Sequence, residues 1–254
     1  MIVSIIIPVY NEALVLPTVL ERVNDAPLPD GCTKEIVVVN DGSTDGTREL
    51  LANYANSPFT IVYHSPVNFG KGAAIRLGLT HCTGDIILIQ DGDLEYDPRD
   101  YQAVLAPMLA GEADVVFGSR FLRGVRGMRK RNWIANKILA YTANLLFGAH
   151  LTDQATAYKA FRREVLQRMK LRCIRFEFCA EVTAKVRRLG YQIREVPISY
   201  NPRGILEGKK IRWPDGFKAL LTLFVYRFAP LASFAAAPGE LSERKTTDDP
   251  AKSV

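Results

Sequence analysis

Three carboxylates follow a short apolar run, and their spacing indicates metal chemistry. Asp91 and Asp93 flank Gly92 directly after the run IILIQ, and Glu95 follows two residues later. Carboxylates crowded at the end of a buried strand repel one another and lose solvation, so a divalent cation is the natural compensation. Oxygen ligands favour Mg²⁺ or Mn²⁺, which share substrate phosphates. The alternative is an acidic turn that caps a helix starting at Pro98.

A run of basic residues could bind the anionic group of a second substrate. Six cationic residues and no acidic residue occur between positions 120 and 131: Arg120, Arg123, Arg126, Arg129, Lys130 and Arg131. A phosphate monoester is already an anion near neutral pH and needs positive charge, whereas a sugar hydroxyl needs a general base. The segment predicts a phosphate-binding loop or, alternatively, a solvated or membrane-attracted basic stretch.

The elements that position these residues follow from β-branched runs that alternate with helical patterns, as in parallel-sheet βα units. The pattern predicts strands near 3–9, 35–40, 59–63, 85–90 and 114–118, and helices near 12–24, 44–54, 71–82 and 98–110. Because ligands bind beyond the carboxyl ends of such strands, the residues after each strand are candidates for the site. Asp41 is placed to accept hydrogen bonds from a base or ribose, and Lys71 to meet a phosphate; a plain turn is the alternative for the Lys71 loop.

Composition sets broader limits. The 254 residues, 48% of them hydrophobic, suffice for one large domain. The net charge of +6 suits an anionic partner such as a nucleotide, a lipid phosphate, an acidic membrane or a nucleic acid. The first residues lack the features of a secretory signal, and the four cysteines have no zinc-site spacing. We therefore expect a cytoplasmic protein with reduced cysteines.

An ordered series of motifs resembles the family 2 glycosyltransferases. The series is IPVYNE, VVNDGSTDGT, NFGKGAAIRLG, the DGD triplet, GSR, and EVPISY followed by Arg203, over about residues 2–226. Within that family the chain is most similar to the dolichol- or polyprenyl-phosphate mannosyl- and glucosyltransferases. The resemblance implies an α/β fold of the GT-A type, a mostly parallel open sheet flanked by helices. It also implies an inverting, metal-dependent transfer of a hexose from a nucleotide-sugar, of the GDP-mannose or UDP-glucose type, to a polyprenyl phosphate.

The resemblance also assigns residues to the donor. It implies that the base and ribose are held by Pro8, Tyr10, Glu12 and Asp41, and the metal and diphosphate by Asp91, Gly92 and Asp93. Glu95 stands where the lipid-phosphate branch usually has glutamine, and it is still an oxygen ligand. The metal would act as a Lewis acid on the leaving diphosphate. Further positive charge on that group would come from Arg203 and one of Lys209 and Lys210.

On the acceptor side, the resemblance implies that Arg120 and one of Arg129 or Arg131 bind the lipid phosphate. Asp153, in LTDQATAYKAF, stands where many relatives carry an aspartate; it would be a base, an acceptor orienter or a turn residue, and we favour the orienter. Glu177 and Glu181 share one face of a probable helix, where Glu177 faces the site or the pair forms solvent-facing salt bridges.

The end of the sequence bears on location. Between 217 and 228, one helical face carries Phe217, Leu220, Leu221, Phe224 and Phe228. This pattern predicts an interfacial helix on the cytoplasmic membrane face or, alternatively, a core helix; no clear membrane span is expected. We expect a catalytic domain over 1–236, with a nucleotide-sugar half to about 118, an acceptor half to about 214 and the amphipathic helix at 215–228. A disordered tail is expected at 237–254.

Other functions remain as alternatives. One is transfer to a sugar hydroxyl of a soluble or polymeric acceptor, which would need Asp153 as a base. Another is a non-catalytic nucleotide-sugar or nucleic-acid binding module, but clustered carboxylates bring little to a binder of anions, and we expect no nucleic-acid partner. A nucleotidyltransferase should show a glycine-rich basic loop after its first strand, where this chain has PVYNE.

Overall fold

Strands and helices alternate along the chain, as the hydrophobic pattern predicts. The computed structural model describes residues 1–54, 60–125, 127–202 and 213–236. The strands are β1 (Ile2–Val9), β2 (Thr33–Asn40), β3 (Thr60–His64), β4 (Ile86–Ile89), β5 (Val115–Ser119), β6 (Lys159–Arg162) and β7 (Arg194–Pro197). The α-helices are α1 (Leu16–Asp25), α2 (Thr47–Ala52), α3 (Lys71–Leu79), α4 (Tyr101–Leu109), α5 (Lys130–Phe147), α6 (Arg163–Gln167), α7 (Phe178–Arg188) and α8 (Trp213–Phe228). Short 3₁₀ turns lie at Pro98–Asp100 and Leu231–Ser233.

The strands form one mixed sheet in the order β3-β2-β1-β4-β6-β5-β7. All neighbouring pairs are parallel except those of β6, which runs antiparallel to both β4 and β5. The predicted mostly parallel open sheet is therefore confirmed. The carboxyl ends of β1, β2 and β4 meet at one edge, which places the predicted donor residues together.

Helices cover both faces of the sheet because successive strand residues point to opposite sides. On one face, Ile5 and Ile7 of β1 pack against apolar residues of α1 and α4. On the other face, Ile6 packs in a second cluster with residues of α3, α6 and α7. A third cluster, built around Leu139 of α5 and Leu223 of α8, joins α5, α7 and α8.

Helix ends differ from the predicted ones for local reasons. Helix α1 begins at Leu16 rather than at 12, because Pro17 has no N–H to donate to the preceding turn. Helix α2 begins at Thr47 rather than 44, because Gly46 has a left-handed φ of 91°. Helix α3 ends at Leu79 rather than 82, where His81 N–H bonds the Gly78 carbonyl in a tightened last turn. The predicted tail at 237–254 and part of the predicted strand at 59–63 lie outside the described residues.

Candidate active site

The loops after β1 and β2 are tied together at the carboxyl edge of the sheet. Asn11 N–H donates to Ser43 Oγ at 2.9 Å, and Thr44 N–H donates to Asn11 Oδ1 at 2.8 Å. Glu12 N–H bonds Thr47 Oγ1 at 3.2 Å. The segment that contains Pro8, Tyr10 and Glu12 therefore lies beside Asp41, as predicted for a base and ribose site.

Asp41 is buried, and its carboxylate holds the next loop. Its two oxygens accept hydrogen bonds from Phe69 N–H at 2.9 Å and Gly70 N–H at 2.7 Å. Gly42 follows with φ of 68°, and a Cβ there would lie 2.4 Å from the Val67 carbonyl carbon, so no other residue fits. Because each carboxylate oxygen has two lone pairs, Asp41 retains the capacity to accept a ligand hydroxyl or amine.

Lys71 begins α3 and forms an ion pair with Asp91, the first residue of the predicted metal motif. Burial opposes the charge of the amine, but the adjacent Asp91 carboxylate raises the pKa of Lys71, so the amine is cationic at neutral pH. Gly92 lies against the end of β1, where a Cβ would be 3.1 Å from the Pro8 carbonyl oxygen. Lys71, Asp91 and Gly92 thus meet at the edge of the sheet predicted to bind the donor.

A buried network beneath the motif fixes its backbone. The Gln90 side chain is fully buried, and its Oε1 accepts hydrogen bonds from the hydroxyls of Tyr101 at 2.7 Å and Tyr158 at 2.6 Å. Its Nε2 donates to the Asp91 carbonyl at 2.9 Å. This network was missed by sequence reasoning, because Tyr158 reaches Gln90 only through the antiparallel insertion of β6.

The other two predicted metal ligands have separate partners. Asp93 Oδ1 accepts from Glu95 N–H at 3.0 Å, and Glu95 Oε2 accepts from the Tyr200 hydroxyl at 3.0 Å. Within residues 1–54, 60–125, 127–202 and 213–236, no three His, Cys, Asp or Glu side chains converge on one metal position. The donor set still fits Mg²⁺ or Mn²⁺, because these ions bind through one or two carboxylates and take further oxygens from water and substrate phosphates.

Arg120 and Asp153, both predicted to serve the acceptor, form a buried ion pair. Arg120 Nε and Nη2 donate to the two Asp153 oxygens at 2.6 and 2.7 Å, and Arg120 N–H adds a bond at 3.0 Å. Burial opposes the charge of the guanidinium, but the Asp153 carboxylate raises the pKa of Arg120, which stays cationic. Glu195 anchors the loop, accepting from Asp153 N–H at 2.8 Å. The predicted roles of Asp153 were a base, a residue that orients the acceptor, and a turn residue. This geometry favours the second of them.

The basic segment divides into different environments. Arg123 bonds Asp100 at 3.2 Å and Ser199 at 3.1 Å, which gives it a structural role. Arg129 is the N-cap of α5 and Arg131 lies in its first turn, both exposed. The Asn136 side chain of α5 accepts from Arg120 Nη2 at 3.1 Å, which brings the helix close to Arg120. Arg126, Arg203, Lys209 and Lys210 lie outside the described residues.

Two predicted acidic residues have structural partners. Glu181 is buried, pairs with Lys185, and accepts from Arg172 N–H at 2.8 Å and Cys173 N–H at 2.6 Å. One of the two predicted alternatives, a solvent-facing salt bridge, is therefore wrong for Glu181, because two backbone donors and an i+4 lysine neutralise its charge inside the fold. Glu177 accepts from Ile174 N–H at 2.8 Å and caps the same loop.

Lys159 is a buried cation that the sequence pattern did not reveal. Its Nζ donates to the Gln154 carbonyl at 3.0 Å and lies 3.5 Å from the centre of the Phe117 ring. Burial lowers the pKa of Lys159 to about 8. The bond to the Gln154 carbonyl fixes the residue that follows Asp153, so Lys159 supports the loop that carries Asp153.

Comparison with known proteins identifies the family. A family model described as Glycosyl transferase family 2 matches residues 4–170. The dolichyl-phosphate beta-glucosyltransferase ALG5A of Trichomonas vaginalis is 30% identical over 225 residues, covering 82% of this chain and 68% of that relative. The undecaprenyl-phosphate mannosyltransferase of Micrococcus luteus is 32% identical over 217 residues, covering 80% of this chain and 85% of the relative.

Solved structures confirm the GT-A fold. The glucosyl-3-phosphoglycerate synthase of Mycobacterium tuberculosis, crystallised with Mn²⁺, UDP and glucosyl-3-phosphoglycerate, superposes with a TM-score of 0.68 at 23% identity. The match covers 90% of this chain and 80% of that one. The predicted fold and family are both confirmed, and the chain belongs to glycosyl transferase family 2.

Proposed function

We propose that this glycosyltransferase is metal-dependent and moves a hexose, with inversion, from a nucleotide-sugar to a polyprenyl phosphate. The observation that carries the proposal is the pairing of Asp153 with Arg120, because the acceptor side presents a guanidinium beside a carboxylate that is already engaged. An anionic phosphate acceptor needs such a cation and no general base. The relatives from T. vaginalis and M. luteus, named for dolichyl-phosphate and undecaprenyl-phosphate transfer, support the same acceptor class.

On the donor side, residues at the ends of β1 and β2 would bind the base and ribose: Pro8, Tyr10, Glu12 and Asp41. Asp91, Asp93 and Glu95 would hold a divalent cation together with the diphosphate, which that cation would stabilise as a leaving group. Lys71 would exchange its contact with Asp91 for the diphosphate. Arg203 and one of Lys209 and Lys210 would add further positive charge.

On the acceptor side, Arg120 would bind the lipid phosphate, with Arg129 or Arg131 as the second cation. The amino end of α5, where the Arg129 side chain forms no capping hydrogen bond, would add its partial positive charge to the same region. Asp153 would hold the Arg120 guanidinium in one plane, which fixes the direction from which the phosphate oxygen reaches the sugar. This assignment explains why a carboxylate stands beside an anion-binding arginine.

The lipid acceptor requires contact with a membrane, and two helices carry an exposed apolar surface suited to it. On α8, Ala219 and Leu223 pack inward, while the outer side exposes Phe217, Leu221, Phe224, Val225 and Phe228. On the neighbouring α5, the exposed side carries Trp133, Ile134, Ile138, Tyr141 and Leu145. We name these ten residues the apolar face. Leu220, predicted to share the outer side of α8, is half-buried and packs against the inner cluster.

The apolar face would seat the protein peripherally on the cytoplasmic side of the membrane. Exposed apolar patches of this kind mark membrane or protein contacts, and amphipathic helices lie in the bilayer interface. Arg129, Lys130 and Arg131 at the start of α5 would meet anionic headgroups there. Among the described residues, none of the helices has the length and apolar character required to cross a bilayer.

The test is transfer of radiolabel from a panel of UDP- and GDP-sugars to a short polyprenyl phosphate, with Mg²⁺ or Mn²⁺ and with EDTA. The matched control acceptor is the polyprenol of the same length without the phosphate. We expect metal-dependent label in the lipid fraction with the phosphate alone. Label on the free alcohol, or only on soluble sugar acceptors, would contradict the proposed acceptor.

A further inference from the structure

Tyr200 contacts both halves of the proposed site. It follows β7, and its backbone forms an antiparallel bridge with Tyr96, while Asn201 N–H donates to the Glu95 carbonyl at 2.8 Å. These bonds fix Tyr200 beside the loop that follows the DGD triplet. Its side chain then extends toward the acceptor arginine.

The hydroxyl of Tyr200 serves the donor half. It donates to Glu95 Oε2 at 3.0 Å. This bond from a phenol O–H to a carboxylate is charge-assisted, and it fixes one oxygen of Glu95.

The ring of Tyr200 serves the acceptor half. The Arg120 guanidinium carbon lies 5.0 Å from the ring centre, within the range of a cation–π contact. Asp153 and Asn136 hold the edges of the same guanidinium, so the ring of Tyr200 completes its support from a third direction. One side chain therefore binds an anion with its hydroxyl and a cation with its face.

We propose that Tyr200 is a positioning residue that couples the two halves of the site. Its hydroxyl orients Glu95 for the donor, and its ring orients Arg120 for the acceptor phosphate. The proposal rests on the proposed function, because it takes Glu95 and Arg120 as donor-side and acceptor-side residues. It assigns a role to the tyrosine that ends the EVPISY motif.

Two substitutions separate the two contacts. Tyr200→Phe removes the bond to Glu95 and keeps the ring over Arg120, whereas Tyr200→Leu removes both. The matched control is Tyr226→Phe, which removes a similar hydroxyl bond, to Glu181 at 2.9 Å, away from the site. Calorimetry measures the dissociation constants of UDP and GDP with Mn²⁺, and steady-state kinetics measures KM for the polyprenyl phosphate.

For Tyr200→Phe we expect the dissociation constant of the nucleotide to rise about tenfold, the effect of losing a hydrogen bond to a charged group. The acceptor KM should rise by no more than about twofold, since the ring remains over Arg120 and only the interaction of the hydroxyl with the guanidinium is lost. Tyr200→Leu should show the same loss of nucleotide affinity and an additional rise of about fivefold in acceptor KM. Tyr226→Phe should change neither constant.

Unchanged nucleotide affinity in Tyr200→Phe, with a wild-type enzyme that transfers hexose normally, would overturn this inference alone. Equal increases of acceptor KM in both Tyr200 variants would also overturn it, because the ring would then have no separate role. A wild-type protein that transfers no hexose to polyprenyl phosphate would overturn the proposed function, and the acceptor half of this inference with it.

Discussion

Asp153→Asn removes one charge from the buried pair with Arg120 while the size of the side chain is kept. Arg120 is 7% exposed and Asp153 is fully buried, so water cannot replace the lost carboxylate. Three N–H groups of Arg120 now donate to the two anionic oxygens of Asp153. An asparagine would offer them only one neutral oxygen, and its NH₂ group would face one of the donors. Breaking a buried pair by removing one partner costs about 3–5 kcal/mol of unfolding free energy.

For a chain of this size, that loss corresponds to a fall in melting temperature on the order of 10 °C. Urea denaturation followed by circular dichroism gives the free energy, and hexose transfer to polyprenyl phosphate gives the activity. The double variant Arg120→Met with Asp153→Leu removes both charges and should recover most of the lost stability. It should still fail to use the acceptor, because the phosphate-binding cation is gone.

Two results would refute this reasoning. A loss below about 1 kcal/mol in Asp153→Asn would mean that the pair behaves like a solvated surface ion pair. Wild-type transfer by the double variant would show that Arg120 does not hold the acceptor phosphate. Recovery of stability without activity separates the structural role of the pair from its role in binding.

Three further predictions follow from the donor site, the buried lysine and the apolar face. Asp93→Ala should abolish metal-dependent turnover while the circular dichroism spectrum stays unchanged; full turnover in Mn²⁺ would contradict its role as a metal ligand. Lys159→Met should be more stable than the wild type near pH 7, because the lowered pKa of about 8 means that the folded state binds the Lys159 proton less tightly than the unfolded state does. This advantage should shrink as the pH rises from about 8 to about 10.5, because the unfolded wild type holds more protons than the folded one over that range and the wild type gains stability. Urea titrations at several pH values measure the difference in unfolding free energy between the two proteins. A difference that does not vary with pH would show that Lys159 is hydrated. The double variant Leu145→Glu with Phe224→Glu should weaken binding to anionic lipid vesicles at least tenfold in co-sedimentation, since burial of each apolar side chain is worth about 1.5–3 kcal/mol. The control is Leu14→Glu, at an exposed apolar position outside the apolar face. Equal losses of binding in both proteins would rule out a localised apolar face.

The sheet and its ligand-binding edge could be predicted well from the sequence. The β-branched runs around Ile6 and Val37 are buried on both faces of the sheet, and such apolar runs rarely form any other structure than a buried strand. The acidic residues after β4 could be placed for the same reason, since they directly follow such a run. Local backbone chemistry moved the helix ends. Pro17 and Gly46 set the starts of α1 and α2, but capping residues upstream gave a competing signal.

The contacts between distant segments could not be predicted. Tyr158 meets Gln90 only because β6 inserts antiparallel beside β4, and one sequence contains no signal for that order. The partner of Asp153 was hidden for the same reason, since Arg120 lies 33 positions earlier. Glu181 shows a different limit of sequence-based prediction. Helical spacing predicts which side of α7 carries Glu181, but it cannot predict that the loop at 172–173 covers this side and donates two N–H groups to the carboxylate.

The insertion of β6 also determines the spacing of the site. Strand β4, which precedes Asp91, and strand β5, which precedes Arg120, do not pair with each other; each pairs with β6, which lies between them. Neighbouring strands are about 4.8 Å apart, so the two strand ends are about 10 Å apart. In the proposed function, the gap that the sugar would cross is thus set by main-chain hydrogen bonds, which side-chain substitutions leave in place. Loops on either side could change in what they recognise while the distance between the two proposed substrate sites stayed constant.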